Sequence, residues 1–277
     1  MAEGDTILRT ARRIDAALSG AEVSAGAPNP RGRLAGIRQL DGLVMVGASS
    51  HGKHLLLDFG ELVLHSHLGI SGSWHVYGRG DSWRKPSRSA WAVLRSERAQ
   101  AVQFGGPTLR VLRADQVRRD PTLARLGPDI LAPGFTVEAG VESLRRAHPS
   151  RQVGDVLLDQ GLLAGVGNIF KSEGCFAARL DPWRRLRGVD DAELGAAVGA
   201  IQELMDAAVR DGRHPHRVYR RVGEPCPVCR TPIRSHGQGD ANRTTYWCPR
   251  CQASPEPTAP EIGLHGGPGS HAPPGRE

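Results

Sequence analysis

The chain of 277 residues has no apolar run approaching the roughly 20 consecutive residues that a membrane span needs. Its opening, from Met1 to Asp5, has neither the basic nor the apolar part of a secretory signal peptide. No internal repeat of the solenoid kind is visible. We therefore expect no membrane association, and we predict a monomeric protein of the cytoplasm.

Cysteine is also scarce, with five residues in the chain. Four of them form two Cys-x-x-Cys pairs, Cys226 with Cys229 and Cys248 with Cys251. In a reducing compartment such pairs favour a metal over a disulfide. Four thiolates form a closed tetrahedral Zn²⁺ site without an open position for water. We predict one structural zinc ion at these cysteines, and we interpret Cys175 as an inert, packed thiol.

The charge is basic, with 36 Lys and Arg against 29 Asp and Glu, a net charge of +7 and a pI of about 9.6. Such an excess is typical of proteins that bind nucleic acid, although it also serves solubility alone. The length of the chain indicates about two domains of ordinary size.

The hydrophobic pattern changes along the chain. Residues 5–19 show helical spacing, with Asp5 as a candidate cap, and short apolar runs between about 33 and 115 predict a β-sandwich or barrel. Helical patterns return over four stretches, of which the last begins at a capping pair, Asp190 and Glu193, and stops at Gly212. The four stretches are 138–148, 151–161, 168–179 and 190–211. The predicted fold class is α+β, with several domains.

These patterns predict four parts of the chain. They are an N-terminal β-sandwich domain with an N-terminal helix at 1–131, a helical domain at 132–222, a zinc module at 223–252 and a tail at 253–277. The tail contains six Pro and five Gly, a composition that cannot bury enough surface to fold, so we predict disorder there.

Two loops carry groups suited to phosphate. Gly165 and Gly167 are able to end one helix while Asn168 caps the next, which would turn backbone N–H groups towards a phosphate. Glycine between helices is more often a plain connection. In the zinc module, a hairpin that carries Arg243 is suited to contact a phosphate or a base edge, and solvated loop charge is the alternative.

Five stretches occur in one order along the chain: Met1–Thr6, His51–His54, His67–Gly72, Leu158–Asn168 and Asn242–Cys248. Together they resemble the formamidopyrimidine-DNA glycosylase and endonuclease VIII family over about residues 3–252. The resemblance implies an N-terminal β-sandwich, a helix–two-turn–helix domain and a zinc finger, with damaged DNA in the cleft between the two halves. It also implies that Met1 is removed, and that the exposed amine attacks C1′ of the damaged nucleotide before strand cleavage by elimination.

The resemblance also implies roles for single residues. Ala2 would be the nucleophile, and Glu3 the general acid and base that assists opening of the sugar ring. Lys53 would contact the target sugar-phosphate, while Asn168 and Arg243 would clamp the flanking phosphates. Without the resemblance, Lys53 is more typical of an exposed hairpin lysine, and Glu3 of a disordered terminal acid.

Ile70 occupies the position at which the family places an apolar wedge. Such a wedge fills the gap that a flipped nucleotide leaves in the stack. The alternative is an ordinary core residue, because isoleucine in a strand-rich segment is usually packed inside.

Two departures from the family pattern bear on function. Ala2 stands where the family usually has Pro, so the imine that forms must gain a proton before it acts as an electron sink. The segment 103–106 does not match the Arg-and-Phe gap-filling pair of the oxidised-purine branch. Together with the opening Glu3-Gly4-Asp5-Thr6, this resembles the endonuclease VIII branch, which prefers oxidised pyrimidines.

The sequence therefore predicts a bifunctional glycosylase and lyase that acts on oxidised bases and is associated with the nucleoid when bound to DNA. A damage-binding protein without base excision is the alternative, and Ala2 is its only support. A zinc-ribbon protein that binds RNA would leave the N-terminal residues unexplained.

Overall fold

The computed structural model describes residues 2–214 and 216–253. The predicted disordered tail therefore lies outside the described residues, except for Ala253. The helices are α1 Gly4–Leu18, α2 Pro30–Leu34, α3 Ala114–Arg119, α4 Pro121–Ala124, α5 Val137–Arg145, α6 Val153–Val156, α7 Asn168–Ala177 and α8 Asp191–Asp211. The strands are β1 Glu22–Gly26, β2 Leu43–Val44, β3 Gly47–His51, β4 His54–Asp58, β5 Leu62–His67, β6 Ser73–Gly78, β7 Ala90–Arg95, β8 Ala99–Phe104, β9 Thr108–Arg113, β10 Arg234–Gln238 and β11 Arg243–Trp247.

Two antiparallel sheets form the N-terminal half of the molecule. One has the strand order β2-β1-β7-β8-β6, and the other has the order β3-β4-β5-β9. Helix α1 buries its apolar stripe of Ile7, Ala11, Ile14 and Leu18 in the same core as the inner face of β4. The predicted β-sandwich with an N-terminal helix is confirmed.

The second half is helical and has its own core, to which α5, α6, α7 and α8 contribute. Asp190 and Glu193 form the predicted capping box of α8, and Gly212 ends this helix with a φ of +72°. No helix in the part of the chain that the structure describes is both long and apolar enough to cross a membrane. A two-stranded hairpin, β10 and β11, packs on α7 and completes the predicted α+β architecture.

Two helix ends differ from the sequence-based expectation. Glu3 occupies the N-cap position of helix α1 without a capping hydrogen bond from its side chain, and Asp5 lies inside the first turn. The helix expected over 151–161 is only the short α6. The carboxylate of Asp159 accepts a hydrogen bond from the backbone N–H of Gly161 at 3.0 Å, a local turn that competes with helix. The segment after α6 is therefore a loop, and this loop reaches the functional site.

Candidate active site

The first residues of the chain are fixed in a cleft between the sandwich and the helical domain. The nitrogen of Ala2 donates a hydrogen bond to the carbonyl of Gly69, at 3.4 Å, in the loop between β5 and β6. Gly4 donates to the carbonyl of Gly165 at 3.0 Å, and a Cβ on Gly4 would lie 2.9 Å from Gly165 Cα. The start of the chain is thereby held between loops of two domains.

The carboxylate of Glu3 lies against the first turn of α7. Its oxygens accept hydrogen bonds from the backbone N–H groups of Ile169, at 2.9 Å, and Phe170, at 3.4 Å. Glu3 is fully buried, and this burial raises its pKa, although the hydrogen bonds and the charge of Lys53 oppose the shift. A buried carboxyl of this kind is suited to general acid–base chemistry. The interpretation of Glu3 as a disordered terminal acid is wrong.

The start of α7 also differs from the sequence-based expectation. Gly167 is the capping residue and Asn168 is the first helical residue. The backbone N–H groups that we expected to face a phosphate are bonded to Glu3 instead. A Cβ on Gly167 would lie 2.1 Å from Cδ of Glu3, so glycine is needed to leave room for the carboxylate. The positive end of this helix therefore stabilises an acid of the chain itself.

Lys53 lies in the tight turn between β3 and β4. Its Nζ donates a hydrogen bond to the carbonyl of Val166 at 2.6 Å, which directs the side chain into the cleft. Burial lowers the pKa of Lys53 to about 8, while the charge of Glu3 opposes this shift and that of Arg243 adds to it. The interpretation of Lys53 as an exposed hairpin lysine does not fit these contacts.

Arg243 is exposed at the start of β11, beside the hairpin turn. Two side chains of α7 bind the residues that follow it. Asn168 Nδ2 donates to the carbonyl of Thr244 at 2.6 Å, and Lys171 Nζ donates to the hydroxyl of Thr245. Because Asn168 and Lys171 are three residues apart, they lie on one face of the helix. The first turn of α7 therefore contacts both the carboxylate of Glu3 and the hairpin.

Sequence reasoning missed the polar network behind this hairpin. The hydroxyl of Thr245 donates to Gln238 Oε1 at 2.6 Å, and Gln238 Nε2 donates to Gln152 Oε1 at 3.0 Å and to the carbonyl of Pro182 at 2.8 Å. Lys171 is fully buried, and this burial lowers its pKa to about 8. The only signal in the sequence was its position one helical turn after Asn168.

Ile70 lies in the loop between β5 and β6, and 73% of its surface is exposed. The alternative that Ile70 is a core residue is therefore wrong. The loop between β8 and β9 packs against this segment, and a Cβ on Gly72 would lie 3.0 Å from Gly106 Cα. Gly105 and Gly106 have φ values of +67° and +115°, a backbone conformation that favours glycine. Because they are glycines, neither brings a side chain to the rim.

A cavity of about 270 Å³ brings these elements together. Five of the predicted site residues line it: Ala2, Lys53, Ile70, Asn168 and Arg243. Glu3 lies behind them against α7.

The cavity is also lined by Gln160 and His67, which were not singled out from the sequence. Gln160 Oε1 accepts from the N–H of Gly165 at 3.1 Å, and its Nε2 donates to the carbonyl of Val166 at 2.9 Å. Their positions inside the recognised stretches were the available signal.

The four paired cysteines form one compact metal site. The sulfur atoms of Cys226 and Cys251 are 3.8 Å apart, and those of Cys229 and Cys248 are 3.4 Å apart. A tetrahedral site with Zn–S bonds of about 2.3 Å has sulfur–sulfur edges of roughly 3.8 Å, so the four thiols fit one Zn²⁺. The prediction of a single structural zinc site is confirmed. The fifth cysteine, Cys175, is fully buried, and burial raises its pKa to about 12, as expected of an inert thiol.

Three family models match successive parts of the chain. The formamidopyrimidine-DNA glycosylase N-terminal domain matches residues 1–112, its H2TH domain matches 126–219, and the zinc finger found in FPG and IleRS matches 223–253. Fold and site thus define a zinc-containing DNA-repair glycosylase with a helix–two-turn–helix domain.

Named relatives agree. A probable endonuclease 8 2 of Streptomyces coelicolor is 37% identical over 93% of this chain and 96% of its own length. A DNA-(apurinic or apyrimidinic site) lyase Nei2 of Mycolicibacterium smegmatis is 34% identical over 92% of this chain and its whole length. The chain belongs to the formamidopyrimidine-DNA glycosylase and endonuclease VIII family of base-excision-repair glycosylases and lyases, as the sequence predicted.

Solved structures share the fold. Lactococcus lactis formamidopyrimidine-DNA glycosylase, non-covalently bound to DNA that contains an AP site, superposes with a TM-score of 0.77 at 23% identity. The match covers 91% of this chain and 99% of that chain. The same enzyme with an N7-benzyl-Fapy-dG containing DNA gives a TM-score of 0.76 at 24% identity.

Proposed function

We propose that this chain excises oxidised bases from DNA and cleaves the strand, with the amine of Ala2 as the nucleophile after removal of Met1. The observation that carries the proposal is that Ala2, Lys53 and Arg243 line one cavity, with the buried Glu3 carboxyl directly behind it against α7. A nucleophile, an acid and phosphate-binding cations are the groups that this chemistry needs.

The reaction begins when the free amine of Ala2 attacks C1′ of the damaged nucleotide. The new N–C1′ bond forms as the base leaves with its bonding electrons, and the nitrogen gives one of its protons to the departing base. The C1′–O4′ bond then breaks as the nitrogen lone pair forms a C=N bond, which yields a protonated imine, and protonated Glu3 donates its proton to O4′. Loss of a proton from C2′ finally expels the 3′ phosphate. The raised pKa of Glu3 supports its role as an acid because it keeps more of the carboxyl protonated.

Phosphate binding is assigned to the cations and the amide of the cavity. Lys53 and Arg243 supply positive charge on opposite walls, and Asn168 lies beside Arg243. Ile70 is exposed at the rim, so it is free to enter the stack when the nucleotide leaves. One chain supplies every group, so we propose a monomer that acts on chromosomal DNA in the cytoplasm.

Oxidised pyrimidines are the proposed substrate class. The rim beside Ile70 carries Gly105 and Gly106 and therefore lacks a second gap-filling side chain. The name of one relative, the probable endonuclease 8 2 of Streptomyces coelicolor, supports the same branch.

The test combines intact mass measurement of the N-terminus with excision assays on duplexes that carry an oxidised pyrimidine, an oxidised purine or an abasic site. We expect a chain that begins at Ala2 and excises the pyrimidine fastest. Retained Met1 in active protein contradicts the nucleophile assignment, and faster purine excision contradicts the branch.

A damage-binding protein without base excision is the second candidate, since Ala2 supplies only a primary amine. Its signature would be tight binding to all three duplexes without release of any base.

A further inference from the structure

An eleven-residue connection crosses the outer face of the five-stranded sheet. The segment 79–89, here called the crossover loop, runs from the end of β6 to the start of β7. In the register of the sheet, Gly78 pairs with Ala99, whereas Ser73 and Ala90 both pair with Phe104. The crossover loop therefore starts far from the cavity and returns to the end of the sheet beside Ile70.

Hydrogen bonds hold the crossover loop against the sheet. Asp81 accepts from the N–H of Gly78 at 2.8 Å, and the N–H of Arg84 donates to the hydroxyl of Tyr77 at 3.1 Å. Lys85 Nζ donates to the hydroxyl of Ser73 at 2.9 Å. Since Ser73 is three residues after Ile70, Lys85 lies next to the rim of the cavity.

Four cations gather on this face, and we call them the basic strip: Arg13 of α1, with Arg84, Lys85 and Arg88 of the crossover loop. Arg13 and Arg84 line one cleft of about 400 Å³ together with His75. Burial lowers the pKa of His75 most, and the charges of Lys85, Arg84 and Arg13 lower it further. These three cations therefore all lie near the ring of His75.

Asp81 is the one carboxylate among the residues that line the cleft of Arg13 and Arg84, and it accepts its hydrogen bond from the backbone N–H of Gly78. Across residues 2–214 and 216–253, no member of the strip forms an ion pair with a carboxylate. By contrast, Arg145, Arg151 and Arg184 of the helical domain are each paired at 2.8 Å or less. Arg13, Arg84 and Arg88 are exposed and Lys85 is half-buried, and such a group of cations without ion pairs favours a polyanionic ligand.

Aromatic rings lie beside Lys85 of the strip and beside Arg95, a neighbouring cation of β7. Lys85 Nζ stands 5.3 Å from the centre of the Phe104 ring, and Arg95 lies 5.6 Å from the ring of Trp83. Trp83 and Tyr77 are only half-buried. Cations interleaved with accessible rings are typical of surfaces that bind nucleic acid.

We propose that the basic strip is a second DNA contact, which binds phosphates of the DNA that leaves the cavity past Ile70. The inference rests on the proposed function for the presence of DNA in the cavity. Its own basis is the continuity of the surface, because Lys85 and Ser73 join the strip to the rim. An acidic protein segment would fit the charge of the strip equally well, but its binding would not need the strip to adjoin the rim of the cavity.

The test compares two double variants of the full-length protein. Arg84→Ser with Arg88→Ser removes two exposed cations of the strip. Arg118→Ser with Arg119→Ser removes two exposed arginines of α3, which follows the end of β9 away from His67. Both variants change the net charge equally, and thermal melting and zinc content check that each is folded.

Binding is measured against salt concentration on duplexes that carry a tetrahydrofuran abasic analogue. One duplex spans about one helical turn, and the other spans about three turns. On the long duplex, loss of two phosphate contacts should lower the slope of log K against log salt by about 1.8 for the strip variant alone. On the short duplex, the strip variant should match the control.

An equal slope for both variants on the long duplex overturns the proposal, whether a protein or nothing occupies the strip. Borohydride trapping separates this failure from failure of the proposed function. A protein that traps abasic DNA but shows no strip effect lacks only the second contact. A protein that never traps DNA lacks the proposed chemistry.

Discussion

The inner wall of the cavity and its outer rim hold their side chains in different ways. On the inner wall, Glu3 and Lys53 are hydrogen-bonded to backbone groups of the loop and helix around Val166. On the rim, Ile70 and Arg243 are exposed. The proposed acid Glu3 and the phosphate-binding Lys53 are thus preorganised before DNA arrives, whereas Ile70 and Arg243 are free to gain their partners on binding.

The largest expected effect comes from removing the support of the rim. Chelation of zinc, or Cys248→Ser, should abolish DNA binding because the metal folds the whole hairpin, which presents Arg243 and also contacts Asn168 and Lys171 of α7. Binding by anisotropy and metal content by mass spectrometry are measured together. Cys175→Ala, at a cysteine outside the metal site, should keep both. Unchanged binding after verified loss of metal would remove the hairpin from the interface.

Glu3→Gln tests the chemical role of the inner wall most directly. This change keeps the shape of the side chain but removes the proton donor, so single-turnover excision should fall by about 10²–10⁴-fold while binding persists. The unaltered protein needs both protonated Glu3 and the unprotonated amine, so its excision should decline at high pH as well as at low pH, and Glu3→Gln should remove the decline at high pH because no acid is left to lose its proton. Glu138→Gln, at an exposed residue of α5, is the control. Equal losses of binding and excision would make Glu3 a structural residue only.

Gly167→Ala tests the fit between the inner wall and its acid. The added Cβ would overlap the Glu3 side chain, and displacement of the carboxyl by about 1 Å should cost roughly 10²-fold in excision rate. In α8, Gly199→Ala makes the same chemical change, but its Cβ would lie 3.7 Å from the nearest atom of Val137. Both rates are measured under single-turnover conditions. If the two variants excise equally well, the space at Gly167 is not needed.

Arg243→Ala should have the smallest effect of these changes. Loss of one phosphate contact lowers the slope of log K against log salt by about 0.9, and binding to all sequences weakens alike. Titrations on two duplexes of different sequence around the same lesion check this. A change in base preference would instead make Arg243 a reader of bases.

The sequence predicted best those structural features that depend on short local motifs. The cysteine spacing predicted the metal site, the short apolar runs predicted the sandwich, and Asp190 with Glu193 predicted the start of α8. These features depend on residues that are close along the chain, and local periodicity and capping rules cover them.

Contacts between distant segments were not predictable in this way. Gly167 was interpreted as part of a phosphate turn, yet its role is to admit the carboxylate of Glu3. Lys171 carried no motif, although it anchors the hairpin at Thr245. Asp5 was expected to cap α1, but it is buried and accepts a hydrogen bond from His214 at 2.8 Å. Nothing in hydrophobic periodicity specifies which polar group meets which across domains.

The identity of the attacking nitrogen is the central claim, and borohydride trapping followed by peptide mapping tests it most directly. Abasic DNA incubated with the protein and borohydride should give a covalent adduct at the α-nitrogen of Ala2. The yield should fall towards acidic pH, because the nucleophile becomes protonated. Ala2→Pro should keep or raise the yield by forming the iminium directly. An adduct mapped to Lys53 with Ala2 unmodified would contradict the account.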